Sequence, residues 1–419
     1  MDCDVVIIGA GVAGLAATGA LVSAGKRVRC LEALAHVGGR IRTIHDSLAP
    51  LPVELGAEFV HGLPTETWDI IRDAGLTAYE HSAKALHIHH GKLLDKKEVG
   101  EIADRVLSEL ARSRKRTDES FEDFLHRSHQ RPEVRRWASI YVEGFNAARK
   151  ELISAASLRQ NNQAAAKIDG DRTFRILNGY DSVVTFLLRS IPHWQAVVQL
   201  NSIVERVQWS RGDVTVFYQA NREVRCKQLI LTVPLGVLQA GAIQFDPEPK
   251  EVLEAARALE FGQVYRITFR FAEAFWEADE RLQSVGFLIS KEKLFSTWWT
   301  TYPVISPLLT AWTAGSAADQ LRGADHSTIV AEALSSLGRI LNRKIPEPRS
   351  VHFHDWQADP FFRGAYSYVP VNALSARETL SRPVDNTLFF AGEAAETTGN
   401  ASMVHGAIAT GINAARKIC

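Results

Sequence analysis

The stretch from Asp4 to Arg42, DVVIIGAGVAGLAATGALVSAGKRVRCLEALAHVGGRIR, constrains the fold more than any other part of the chain. An apolar strand, Val5 to Ile8, runs into Gly9, Gly11 and Gly14, a helix of small residues follows, and a second strand ends in Glu32. Each glycine has a steric reason. Gly9 permits the tight turn, Gly11 lets backbone approach a pyrophosphate, and Gly14 allows helix to pack closely on strand. The helix N-terminus offers free N–H groups and a positive dipole end to an anion. Glu32 stands 18 residues beyond Gly14, where a carboxylate takes adenosine ribose hydroxyls and disfavours a 2′-phosphate. A glycine triplet alone arises by chance in loops. This one follows a strand, opens a helix and meets its acid, so an adenine dinucleotide is expected in preference to an unliganded turn.

Gly38-Gly39-Arg40-Ile41-Arg42 comes directly after the acid. Two glycines let a loop close over the diphosphate, and two arginines supply charge-assisted donors to it. This shifts the reading from NAD to FAD, with a solvated basic turn as the alternative.

The 419 residues suffice for two or three compact units with a substantial core. The 48 basic residues balance 48 acidic ones, so no global field points to nucleic acid. The run Arg112-Ser113-Arg114-Lys115-Arg116 reads as a solvated helix end. Cys3, Cys30, Cys226 and Cys419 show no CxxC or metal-ligand spacing and read as reduced thiols of a cytoplasmic protein. His89-His90, His352 and His354 show no partner acids at ligand spacing, so no metal is expected. The first strand begins too near Met1 for a signal peptide, and no apolar tail of ~20 residues spans a bilayer, so no membrane is expected.

The fold class is α/β: a Rossmann-like FAD-binding domain with an inserted mixed α+β substrate domain and a helical region. The FAD-binding domain is discontinuous, over 1–80, 196–240 and 384–419. Residues 81–195 are largely helical, because from about Asp95 to Leu158 apolar positions such as Phe121, Phe124 and Leu125 recur at helical spacing. Strand patterning returns in VVQL, IVERVQW, VTVFYQ and QLILTVP. Residues 241–383 form the substrate-binding unit, with alternating aromatic strands such as VYRITFRF and a helix from Ser327 to Leu341.

Beyond GAGVAGL, Glu32 and GGRIR, the chain carries VELGAEFVHG, YVEGFNAA, ILNGY, LTVPLGVL, DWQADPFFRGAYSYVP and LFFAGEAAETTGNASMVHGAIATG. Together these resemble the flavin-containing amine oxidases, the family of monoamine oxidases, polyamine oxidases and flavin-dependent histone lysine demethylases. The resemblance covers nearly the whole chain and is nearest in texture to the polyamine oxidase and demethylase branches.

The resemblance implies an FAD-dependent amine oxidase. A neutral primary, secondary or polyamine passes hydride to flavin N5, the imine hydrolyses to an aldehyde, and dioxygen or another acceptor takes the electrons. It implies cofactor contacts from Gly9, Gly11, Ala13, Gly14, Glu32, Ala33, Gly38, Gly39 and Arg40, with Val204 and Val233 beside the adenine. Gly56, Ala57, Glu58 and Phe59 run past the flavin by backbone. At the far end Gly392, Glu393, Met403, Val404 and Ala407 complete the set, Glu393 accepting from ribityl hydroxyls. The helix opening near Met403-Val404 points N–H groups at the flavin pyrimidine, where charge develops.

By the same resemblance, the segment of Trp356, Tyr366 and Tyr368 faces the isoalloxazine, with Tyr366 as one wall of an aromatic cage that guides a cationic amine. Met403 stands at the opposite wall, where monoamine oxidases have an aromatic. Ala365 replaces the cysteine that bonds flavin in monoamine oxidases, implying noncovalent FAD. His61 either hydrogen-bonds a substrate nitrogen or is a surface-loop histidine. Arg266 falls where the family carries a lysine that holds a water against flavin N5. Arginine keeps its proton, which implies a different water network and an altered reaction with dioxygen.

A flavin L-amino-acid oxidase or desaturase, with Arg266 or Arg363 as carboxylate clamp, is one alternative. A flavin-binding protein with lost or altered oxidase activity is another. Glu143 and Glu151 are the acids offered to a polyamine's distal charge. No long coiled-coil insertion or reader module speaks for a histone substrate, and the oligomeric state is open.

Overall fold

The structure, a computed structural model, describes residues 1–81, 84–94, 105–113, 117–219 and 222–419. Residues 114–116 of the basic run and 95–104 of the charged segment lie outside the described residues.

Strand Val5–Ile8 is buried at every position, which is why it is an unbroken apolar run and not an alternating one. It is the centre of a five-stranded sheet in the order Val198–Gln199, Val28–Leu31, Val5–Ile8, Gln228–Leu231, Leu388–Phe390. All its pairings are parallel. Three stretches far apart in sequence thus meet in one sheet. The helix Val12–Ser23 packs on this sheet and against the C-terminal helix Val404–Ile418. Gly411 makes that helix pair close, because a Cβ there would come 2.1 Å from the Ala13 carbonyl oxygen.

A seven-stranded sheet forms the other large element, in the order Ser350–Phe353, Val264–Arg270, Leu308–Ala314, Thr297–Trp299, Phe287–Ile289, Ala85–His89, Lys92–Leu93. Successive side chains on a strand point to opposite faces. On one face Ile267, Phe269, Ala311, Trp298 and Leu288 join a core with helix His326–Leu341. On the other, a row crosses five strands: Arg266 pairs with Trp312, Trp312 with Thr297, Thr297 with Ile289, and Ile289 with His87. Every member of that row lines one cavity.

The region 81–195 is less helical than its sequence suggests. Ala85–His89 and Lys92–Leu93 pair into the seven-stranded sheet, and Thr173–Ile176 pairs with Val60–His61 and Ala78–Glu80. Runs this short cannot be assigned by periodicity alone. Helices Phe121–Arg127, Pro132–Asn146, Ala155–Ala165 and Asp181–Arg189 make up much of the remainder. The longest of them, Pro132–Asn146, closes over the sheet face, where the Trp312 indole N–H donates to the Gly144 carbonyl at 2.9 Å. No helix among the described residues is long and apolar enough to cross a membrane.

Candidate active site

A continuous cavity of about 1120 Å³ runs from the first glycine turn to the aromatic face of the seven-stranded sheet. At the turn, Gly9 has φ +101° and a Cβ on Gly14 would lie 1.9 Å from the Gly9 carbonyl oxygen. Gly11 has open space where its Cβ would be, and it caps helix Val12–Ser23 without any side chain. The Gly38 N–H donates to the Ala10 carbonyl at 2.9 Å, holding the second glycine loop against the first. Two backbone loops beside uncapped N–H groups form the cradle that an anion such as a diphosphate fits.

Glu32 ties this cradle together. Its Oε2 accepts from the Ala10 N–H at 2.6 Å and its Oε1 from the Leu34 N–H at 3.0 Å. Burial pushes its carboxyl above the usual range, and those two N–H groups pull it back.

Glu393 is held from several sides. Arg40 donates to Oε1 at 2.9 Å, while Ser367 gives Oε2 its hydroxyl at 2.6 Å and its N–H at 3.3 Å. Burial raises this carboxyl, but the Arg40 and Arg377 charges and the Ser367 hydroxyl outweigh it and hold the group below its ordinary value. A carboxylate offers about four acceptor sites, so these donors leave room for a ligand hydroxyl. Arg40 also donates to the Ala365 carbonyl at 2.6 Å. The two arginines of GGRIR do not act alike: Arg40 lines the cavity, but Arg42 turns to His354 Nδ1 at 3.2 Å and does not line it.

At the centre, the Glu58 side chain joins three elements. Arg266 Nη2 lies 2.5 Å and Trp299 Nε1 2.9 Å from its Oε2, and Arg175 Nη1 lies 2.8 Å from its Oε1. Burial pushes the Glu58 carboxyl up, and the Arg175 and Arg266 charges more than offset it. The sequence reading gives Glu58 only a backbone role, so this side-chain cluster is new. Arg266 is 4% exposed, and its Nε and Nη1 are buried without a hydrogen-bond partner. Buried unsatisfied donors on a cavity wall are costly unless a ligand or water meets them.

The Tyr366 hydroxyl donates to the Phe145 carbonyl at 2.8 Å, which fixes the ring on the cavity wall. Met403 is the N-cap residue of the C-terminal helix and makes no side-chain cap, so that helix also opens on the cavity with uncapped N–H groups. Trp356 donates to the Leu55 carbonyl at 2.9 Å and packs on Phe362. It therefore braces the segment that carries Tyr366. His61 lies edge-on to Phe145 at 5.5 Å. Burial, with a smaller contribution from His405, lowers its imidazole to about 4.

Of the residues expected to touch the cofactor or the amine, Gly14 packs beneath Gly9 and, like Arg42, Glu143 and Glu151, does not line the cavity. Arg363 is exposed at the wall, its Nε donating to the Pro360 carbonyl. Glu143 accepts from the Ser316 hydroxyl at 2.6 Å and Glu151 pairs with Lys150 at 3.1 Å; neither lines the cavity. The histidines outside the cavity do have acids in space. His352 lies 3.6 Å from Asp46, His354 lies 3.0 Å from Asp359, and Glu292 comes within 4.8 Å of both His89 and His90. Linear spacing hides the pairings with Asp46 and Glu292, which lie far away in sequence, whereas Asp359 stands only five residues beyond His354. Glu292 is engaged by Arg339 at 2.9 Å.

The profile of the flavin containing amine oxidoreductases matches residues 12–419. The chain belongs to this family. It is 28% identical over 446 residues to lysine-specific histone demethylase 1 homolog 2 of Oryza sativa subsp. japonica, covering 100% of this chain and 57% of that protein. It is 28% identical to probable polyamine oxidase 4 of Arabidopsis thaliana, covering 99% and 86%. The chain thus spans little more than half the length of that demethylase. The fold also matches a putrescine oxidase structure with putrescine bound, with a TM-score of 0.86, 24% identity and coverage of 100% and 99%.

The cofactor of this amine oxidoreductase is FAD. The residues present suit it, with a glycine cradle for the diphosphate, Glu32 at the end of the second strand, and the unpartnered Arg266 donors on the wall. Sequence reasoning missed Arg175, Ser367, Arg377, Trp312 and His405. His405 was signalled by its place one residue after Val404, whereas Trp312 lies in a run, LLTAWTA, with no alternation to mark its face. Arg377, which donates to the Glu393 and Ala394 carbonyls at 3.1 Å, sits on a short surface-like helix and carried no signal.

Proposed function

We propose that the chain is an FAD-dependent amine oxidase that takes a small amine and holds FAD noncovalently. The observation that carries this is one cavity joining the glycine cradle to an aromatic chamber, with Arg266, Tyr366 and Met403 on its wall between them. FAD, when bound, supplies the acceptor for hydride from the amine's α-carbon. The chain's own residues position and desolvate. Tyr366, held by the Phe145 carbonyl, presents a fixed ring toward the amine. Trp299 and Trp312, whose indole N–H groups are spent on Glu58 and Gly144, exclude water from the chamber. His61 and His405, kept neutral by burial, offer nitrogen acceptors to an amine N–H. Arg266 keeps a permanent positive charge on the wall, where the family resemblance places a lysine.

Noncovalent attachment is supported by Ala365 on the wall and by the absence of any cysteine among the described lining residues. Similarity to polyamine oxidases and to a putrescine oxidase supports amine oxidation. Dioxygen or another small acceptor completes turnover. Free cysteines, three of them buried, suit a cytosolic location.

A second reading, an L-amino-acid oxidase, draws on the two unpartnered nitrogens of Arg266, which a substrate carboxylate would satisfy. Anaerobic titration of the purified protein with L-phenylalanine and with phenethylamine separates them. Bleaching of the flavin band by phenethylamine alone supports the amine oxidase, and bleaching by L-phenylalanine alone supports the second reading.

A further inference from the structure

We infer that the substrate's body is apolar and uncharged, as in an aromatic or alicyclic monoamine, and that the chamber discriminates against diamines and polyamines. This rests on the amine oxidase reading above and names the substrate class for the same cavity.

Beyond Arg266 the chamber wall is the sheet face described above. Along the first row stand Trp312, Thr297 and Ile289, and along the neighbouring row Trp299 and Phe287. Phe59 ties the second row together, 5.6 Å from Trp299 and 6.0 Å from Phe287. Across from them Tyr141 and Phe145 stack at 5.9 Å on helix Pro132–Asn146. The indole edges of Trp299 and Trp312 and the phenol edge of Tyr366 are already used. Trp299 donates to Glu58, Trp312 to the Gly144 carbonyl, and the Tyr366 hydroxyl to the Phe145 carbonyl.

A second ammonium entering such a chamber needs a carboxylate, because an unpaired charge removed from water carries a large desolvation penalty. The described cavity wall has four acids: Glu32, Glu58, Asp171 and Glu393. Glu32 is bound to the glycine turn, Glu393 to Arg40 and Ser367, and Glu58 to two guanidinium groups. Asp171 is exposed at the rim. Among the described residues, none gives a buried, uncommitted carboxylate to a distal cation. Arg266 adds a positive charge that repels one.

The test compares steady-state kcat/KM for benzylamine, cyclohexylamine, putrescine and spermidine on the FAD-loaded enzyme, beside its Thr297→Asp and Asp171→Asn variants. Benzylamine or cyclohexylamine is expected to exceed putrescine and spermidine by about 100-fold or more, the effect of leaving one buried charge unpaired. Thr297→Asp, which adds a carboxylate to the wall, is expected to narrow that ratio by at least about tenfold while FAD content stays unchanged. Asp171→Asn is expected to leave it unaltered. Putrescine or spermidine equal to or better than the monoamines overturns the inference and leaves the amine oxidase reading standing, as does a ratio that Thr297→Asp does not move. Flavin that no amine bleaches overturns the amine oxidase reading itself.

Discussion

Arg266 meets Glu58 at 2.5 Å inside the cavity wall, and Arg175 holds the opposite carboxylate oxygen at 2.8 Å. Two cations on one carboxylate leave a net positive charge buried beside the chamber. Removing the acid strands both guanidinium groups. Glu58→Ala should therefore cost about 3–5 kcal/mol in urea unfolding of the holoenzyme. A loss under about 1 kcal/mol would mean that the cluster does not hold the three elements together.

Gly11 and Gly14 separate fold from cofactor. A Cβ on Gly14 collides with the Gly9 carbonyl, whereas one on Gly11 meets nothing within 4 Å of the protein. Gly14→Ala should destabilise the apoprotein, while Gly11→Ala should leave its melting temperature unchanged and weaken FAD at least about tenfold by filling the diphosphate cradle. Calorimetry and FAD titration of both variants decide this. FAD affinity untouched by Gly11→Ala contradicts the cradle.

How much of this was readable in the sequence follows from the range of each constraint. The glycine turn and Glu32 are local: steric demands within one βαβ unit write themselves into consecutive residues. The parallel sheet was readable because strands such as Val5–Ile8 are buried throughout and therefore unbroken in hydrophobicity. The Glu58 cluster was not, since its partner Arg266 lies 208 residues away and the pairing exists only once strand Val264–Arg270 is in place. The strand Ala85–His89 was missed because five residues of mixed polarity carry too little periodicity. The divergence of Arg40 from Arg42 was hidden for a similar reason, as His354 reaches Arg42 from 312 residues away.

Acid should unfold the protein partly through His61 and His405, both held by burial at about 4. An unfolded imidazole titrates near 6.5, so the unfolded chain binds protons first as pH falls. The stability these groups contribute is complete above about pH 6.5 and is lost toward pH 4. Thermal melts across that range should slope downward, and His405→Gln should make the slope shallower. Equal slopes for the variant and the parent would count against it.

Glu54 acts in the opposite direction. Burial raises its carboxyl to about 7, while the Thr43 hydroxyl and the Tyr180 N–H moderate the rise. The folded state then holds a proton that the unfolded state has released, so this contribution is present below about pH 4.5 and disappears as pH rises through 7. Glu54→Gln should match the parent near pH 5 and be more stable near pH 9, by roughly 2 kcal/mol. A variant less stable at both values would show that the carboxylate itself is required.

The central claim is that one cavity brings an amine to noncovalent FAD. Its most direct test is the visible spectrum of the purified, FAD-loaded protein as benzylamine, cyclohexylamine and putrescine are added without oxygen, followed by acid precipitation. The account predicts bleaching of the flavin band by at least one monoamine and release of all the FAD into the supernatant. A band unchanged by every amine, or FAD that stays with the precipitate, would contradict it.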